Sequence, residues 1–419
     1  TFVVLAKNSV GSSPPSAASN AVTPVSSAPP PPPPPPTSNW TRLGPAGTLY
    51  TFTGYHVARW TTSDTSKSLK TMAYHELPCG LAGFDNKQPG GSGSSWCDIS
   101  PSLYDTLNVP MAMGPLTRST VVAPMGSPGS GTRDVTNGGG GGVHTDGSGS
   151  FRTTCSLSKF LFDDPIVFPG QPGKSHLHMF FGNTAVDNNM TSDQITLKGN
   201  STCRGGVLNR TGYWTPAMID ANGNVVMPDE ATIYYKTGYN VDPTVIQPMP
   251  TGLKMIAGDS KATAAQWAGP QQIITWMCLN GSGGGGNTTI PNCGAGDAVR
   301  LTVIFPQCWD GKNLDSPDHK SHMAYPNYNS SKRSTCPADH PVPVPEMSEH
   351  FDFPVLTGVS PSTWRLSSDM NSSLAAGLSA HADWMYGWDD ATMASIVTNC
   401  LNKAVDCGVG GIGANKSLF

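Results

Sequence analysis

Short strand-like runs rich in apolar residues recur along the chain, each bounded by Gly, Pro, Asn or Asp. "DPIVFPG" (164–170), "HLHMFFG" (176–182), "ATIYYKTG" (231–238), "GLKMIAG" (252–258), "QQIITWMCL" (271–279) and "AVRLTVIFP" (298–306) are of this kind. Such runs between turn formers predict strands, and many of them at short intervals predict an all-β or β-rich architecture. We expect a single large disulfide-bonded β-sandwich or jelly-roll-like domain with long loops and a short C-terminal helix. That helix falls on "DATMASIVTNCLNKAV" (390–405), where Met393, Ile396, Val397 and Leu401 keep helical spacing behind Asp390 as N-cap. Further strand-like pieces, "TLYTFTGYHVARWTT" and "STVVAPM", lie within 40–154, and no repeat of fixed period is present.

Composition sharpens this picture. Gly (47) and Pro (38) favour turns and short strands over long helices. Charged residues are 13% of the chain, against roughly 25% in ordinary soluble proteins, so any gathering of ionisable groups stands out. A net charge of −4 gives no electrostatic case for nucleic acid, and no apolar stretch approaches the ~20 residues a membrane-spanning helix requires. The ten cysteines contain no CxxC pair, and their spacing reads as a disulfide framework made in an oxidising compartment. Sequential pairing is expected: Cys79–Cys97, Cys155–Cys203, Cys278–Cys293, Cys308–Cys336 and Cys400–Cys407, the alternative being buried free thiols. The abrupt start at Thr1, inside a strand-like run, reads as a processed or truncated secreted product.

The 419 residues suggest one large domain plus an appendage. Residues 1–24 resemble the last two strands of a fibronectin type III domain, a remnant too short to close a sandwich. Residues 25–39 carry eight consecutive prolines, Pro29 to Pro36, a polyproline II spacer about 25 Å long. The globular domain then occupies 40–419, with the glycine runs 138–142 and 283–286 as surface loops.

Three clusters have the residue types that chemistry needs. His176 and His178 stand two apart in a strand-like run, which puts both imidazoles on one face. They are either metal ligands or hydrogen-bonded residues lining a cleft. The loop "CWDGKNLDSPDHKSHMAYP" (308–326) gathers Asp310, Asp318, His319 and His322. It is either the floor of a site, with Asp318 tuning its neighbour His319, or an ordered loop held by its own hydrogen bonds. "SAHADWMYGWDD" (379–390) sets His381, Asp383 and Asp389 among Trp384, Tyr386 and Trp388. It is either a sugar-binding groove with acid/base carboxylates or core aromatics followed by a helix cap. No GxSxG, HExxH or phosphate-cradling Gly-rich loop is present, so esterase, zincin and nucleotide readings lack support.

"DDPIVFPGQPGKSHLHMFFGN", "GYWTPAMID", "GLKMIAGD", "CWDGKNLDSPDHKSHMAYP", "CPADHPVPVPE" and "HADWMYGWDD" resemble, in order, the secreted domain of unknown function nineteen ninety-six over about 155–405. The family pattern falls on His176, His178, Trp214, Asp310, Asp318, His319, His322, His340, His381, Asp383, Trp388 and Asp389. The resemblance implies secretion and, by association, a polysaccharide or cell-wall context, but no reaction. From it we expect a secreted carbohydrate-active protein working through a His/Asp-lined cleft. Asp310, Asp318, His319, His381 and Asp383 would be catalytic. Trp214, Trp384, Trp388, Asp389 and His340 would contact the glycan, and His176, His178 and His322 would hold one divalent metal ion. The alternative is a non-catalytic glycan-binding or structural protein of the cell surface.

Overall fold

A computed structural model describes residues 7–8, 11–12 and 40–418, save 65–67, 82–87, 91–92, 100–108, 111–130, 136–141, 144–146, 222–223, 239, 269–270, 282–285, 330 and 370–372. The chain divides into Thr1–Asn39 and Trp40–Phe419. In the first unit Lys7–Asn8 and Gly11–Ser12 pair antiparallel. The rest of the fibronectin-like stretch 1–24, the proline spacer 25–39, the strand-like piece 119–125 and most of both glycine runs lie outside the described residues.

The second unit is β-rich, as the strand-like runs predict. One antiparallel sheet has five strands in the order Leu157–Leu161, His178–Gly182, Gly212–Pro216, His381–Met385, Lys254–Gly258. A second has seven, in the order Ile274–Cys278, Ala298–Ile304, Glu346–Pro354, Ala231–Lys236, Ser150–Cys155, Val405–Val409, Gly142–Val143. The two pack into a sandwich around one core. Val299, Leu301, Val303, Met347, Phe351 and Phe353 come from the larger sheet, and Met179, Phe181, Tyr213, Met255, Ala257 and Trp384 from the smaller. Phe181 meets Phe351 across the gap with ring centroids 5.2 Å apart.

Period two also explains the back of the smaller sheet. Phe180, Trp214, Ile256 and Met385 alternate with that core and form a second one beneath Ile166, Val186, Met190 and Ile195. The central strands of this sheet are therefore buried on both faces. A separate four-stranded sheet, Thr41–Pro45, Trp96–Ile99, Leu49–Thr61 and Leu69–Pro78, carries its own small core around the Cys79–Cys97 bridge.

All five disulfides join sequence neighbours: Cys79–Cys97, Cys155–Cys203, Cys278–Cys293, Cys308–Cys336 and Cys400–Cys407, leaving no free thiol. Two expectations are corrected. The helix runs Asp390–Ile396, continues as a π-turn over Val397–Leu401, and is capped by Asp389 rather than Asp390. The Asp389 Oδ1 accepts from the Thr392 N–H and hydroxyl. "DPIVFPG" is a turn and not a strand, because Asp164 Oδ1 takes the N–H groups of Ile166 and Val167 (both 2.9 Å) and Pro165 has none to give a ladder.

Candidate metal centre

The back of the five-stranded sheet holds a cluster of buried donors. His178 lies on the same face as Phe180, and His381 and Asp383 on the same face as Met385, because each pair is two residues apart. Strand order brings them together: Gly212–Pro216 alone separates their strands, and Trp214 is in register with both Phe180 and Asp383. His176 stands just before the His178 strand, and their ring centroids are 4.2 Å apart. His381 is 5.0 Å from the first ring and 5.7 Å from the second. The Asp164 turn closes over this group. One donor atom from each of His176, His178 and His381 lies within 4.8 Å of the others, and the same holds for Asp164, His178 and Asp383.

Two tautomers follow from the hydrogen bonds. His178 Nδ1 lies 2.9 Å from the carbonyl of Asp163 and His381 Nδ1 lies 2.9 Å from that of Ser379. A carbonyl only accepts, so both Nδ1 atoms carry the proton and both Nε2 atoms present lone pairs. Asp163 is itself fixed by the N–H groups of Gly173 and Asn188. A backbone carbonyl orienting an imidazole in this way is the usual support behind a metal-ligating histidine. His178 Nε2, His176 Nε2 and both Asp383 oxygens are buried with no hydrogen-bond partner among the described residues. His381 Nε2 is 4.0 Å from Asp383 Oδ2. His178 is 0% exposed, Asp383 1%, His381 and Asp164 4%, while half-buried His176 forms the rim.

Burial dominates the electrostatics. It holds His176 down at about 3, with His381 adding to the effect, and His381 at about 3, with His178 adding. His178, wholly enclosed, falls well below the usual imidazole range. Burial pushes Asp383 well above the carboxylate range, reinforced by Asp164. It raises Asp164 too, against the pull of two backbone N–H groups. Three neutral imidazoles facing carboxyl groups that resist ionising is what a cation site looks like without its charge. Donor atoms around a zinc-sized ion sit about 3–4 Å apart given bonds of ~2.0–2.2 Å, so the set needs only small side-chain contraction. His178 has one available lone pair and belongs to both triads, so they describe one centre. Imidazole-rich ligation suits a divalent transition ion better than calcium or magnesium.

The charged loop 308–326 forms one wall of this centre. His322 Nε2 donates to the Lys254 carbonyl (2.7 Å), Lys254 Nζ reaches Asp315 (3.2 Å), and Lys320 Nζ donates to the Gly258 carbonyl (2.6 Å), Gly258 being in register with His381. Lys320 favours the charged form of Asp383 and disfavours that of His381. His319 adopts the left-handed region at φ 58° and meets Asp315 at 2.8 Å through Nδ1.

The other residues singled out from the sequence do not join the centre. Both ring nitrogens of His322 are taken, by Lys254 and by Ser316 Oγ, so it has no lone pair for an ion, and His381 and Asp383 stand where it was expected. Asp318 is a turn cap held well below the carboxylate range, first by the Ser321 N–H and then by the Ser316 and Ser321 hydroxyls, which makes it a poor general acid. Asp310 caps its own turn through the N–H groups of Lys312 and Asn313. His340 is half-buried and lies 3.0 Å from the Ser321 carbonyl. Trp214, Trp384 and Trp388 are fully buried, the first stacked on Phe180 and the other two bonded to Tyr235 Oη, so none offers a ring face to a sugar. Asp164 was missed: in "DDP" it reads as a turn former, and only the tertiary fold brings it to the cluster.

Asp310→Ala is expected to cost about 1 kcal/mol of stability, the worth of a cap, and to leave metal content unchanged. Urea unfolding read beside elemental analysis checks both.

The sequence profile described as "Domain of unknown function (DUF1996)" matches residues 164–388, a span that begins at Asp164 and includes all five members of the cluster. No curated protein and no solved structure matches the chain.

Proposed function

The chain belongs to the family described as a domain of unknown function (DUF1996), and we propose that it is an extracellular, metal-dependent protein acting on a polysaccharide at the His176/His178/His381/Asp383 centre. One observation carries the metal-dependent part: buried imidazole nitrogens and carboxyl oxygens converge there with no hydrogen-bond partner among the described residues. Burying such groups unpaired costs about 1–3 kcal/mol each, a cost that an ion bound among them would offset. A bound divalent ion would act as a Lewis acid or lower the pKa of a water. Around it the chain's own residues have separate roles. Asp163 and Ser379 hold the imidazoles in register, Asp164 offers a carboxylate beside the ligands, and half-buried His176 gives the side from which substrate approaches. Five disulfides and the absence of any described helix long enough to cross a membrane are compatible with an extracellular setting. The glycan substrate rests on the family's polysaccharide context.

A second reading is favoured by the burial of His178, His381 and Asp383: an ion of purely structural use in a glycan-binding protein. One experiment separates them. The zinc-, manganese- or copper-loaded chain is incubated with a polysaccharide panel, with and without chelator, and chain ends are quantified. Metal-dependent cleavage supports the enzyme. Metal that raises the melting temperature without any cleavage supports the structural ion.

A further inference from the structure

Far from the metal centre, at the opposite end of the His381–Met385 strand, the surface has a cavity of about 350 Å³ whose walls include Leu208, Arg210, Thr251, Trp388, Asp389 and Asp390. Gly387 on its wall lies six positions along the chain from His381, about 20 Å if extended at ~3.3 Å per residue. Resting on the glycan reading above, we propose that this cavity is a separate sugar-binding subsite for a neutral mono- or disaccharide unit of the polysaccharide.

Each polar group in the wall is fixed from behind by part of its hydrogen-bonding capacity. Arg210 spends Nε on the Gly199 carbonyl (2.8 Å) and Nη1 on that of Thr196 (2.7 Å). Asp390 Oδ1 accepts from the Thr251 hydroxyl (2.8 Å) and from Tyr386 Oη (2.7 Å). Asp389 Oδ1 is occupied by the helix cap. The Arg210 Nη2 and the Oδ2 atoms of Asp389 and Asp390 take no part in these bonds. Groups locked in this way lose little entropy when a ligand arrives.

The charge pattern selects the ligand class. A free cation is opposed by the Arg210 guanidinium, and an anion by two carboxylates. A vicinal diol satisfies both, accepting from the guanidinium and donating to the carboxylates, while the apolar edges of Leu208 and Val207 meet its C–H face. The volume lies at the lower end of the ~300–1,000 Å³ typical of small-molecule sites, which fits roughly one or two pyranose rings.

The test is calorimetric titration of the full, metal-loaded chain with cellobiose, xylobiose, laminaribiose, mannobiose and diacetylchitobiose. At least one should bind at millimolar strength, and Arg210→Lys and Asp390→Asn should each weaken it about tenfold or more while circular dichroism and metal content stay unchanged. His178→Ala should lose the metal and keep the sugar. No binding by any disaccharide, or binding undiminished in both cavity variants, overturns the subsite. Metal-dependent cleavage of polysaccharide would still stand if the subsite failed, so the two readings fail separately.

Discussion

Replacing His178 with alanine is expected to abolish metal binding at the proposed centre. The residue is the common member of both donor triads, its Nδ1 is locked on the Asp163 carbonyl, and its Nε2 is buried without a partner. Disturbing only the groups behind a metal ligand costs about 10–100-fold in affinity, so loss of the ligand itself should cost at least 100-fold, about 2.7 kcal/mol or more. Metal content after desalting should fall to background, and the rise in melting temperature on adding metal should vanish. His322→Ala is the informative companion. It empties an equally buried site and breaks the bond to the Lys254 carbonyl, so it should destabilise by about 1–3 kcal/mol. Its metal content per folded chain should stay at the wild-type level. Equal metal loss in both variants would mean that the ion responds to general loosening and not to ligation.

The second large effect concerns Glu349, which lies between the sheets on the inward face of Glu346–Pro354, beside Met347 and Phe351. It is fully buried, and neither carboxyl oxygen has a partner among the described residues. Burial, reinforced by the Asp383 charge, pushes its pKa well above the ordinary value. The sign of the linkage follows. The unfolded chain releases this proton near pH 4.3 while the folded chain keeps it. The native state is therefore unaffected below that pH and loses stability as pH rises toward the folded pKa, by about 1.4 kcal/mol per unit. Glu349→Gln keeps the shape and removes the titration. Urea unfolding at pH about 4 and about 8 should give nearly equal stabilities for the two chains at the lower pH and a more stable variant at the higher. A constant offset at both pH values would contradict a protonated Glu349.

Much of the fold was legible because period two survives wherever one face of a strand is solvated. "AVRLTVIFP" alternates cleanly, and Val299, Leu301 and Val303 are all buried in the core. "HMFF" sits in a strand covered on both faces, so its hydrophobicity is continuous and names no inner side. The two-apart spacing still put His176 beside His178, and His381 on the face of Asp383. What the spacing could not supply was that one strand alone separates the two pairs, since strand order is set by long-range pairing. The carboxylates of the charged loop stand apart from the centre for a local reason. Asp310 and Asp318 are there because turns need side-chain acceptors for their N–H groups, and their density says nothing about a ligand. Trp384 and Trp388 misled because aromatics beside carboxylates look alike in a groove and in a core, where Tyr235 Oη satisfies both indole N–H groups.

The most direct test of the metal centre is elemental mass spectrometry of the purified full chain after incubation with zinc and exhaustive desalting. One ion per chain, absent from His178→Ala and retained by Asp310→Ala, is the predicted result. A wild-type chain that retains no ion would contradict the centre and leave its buried lone pairs without a cause.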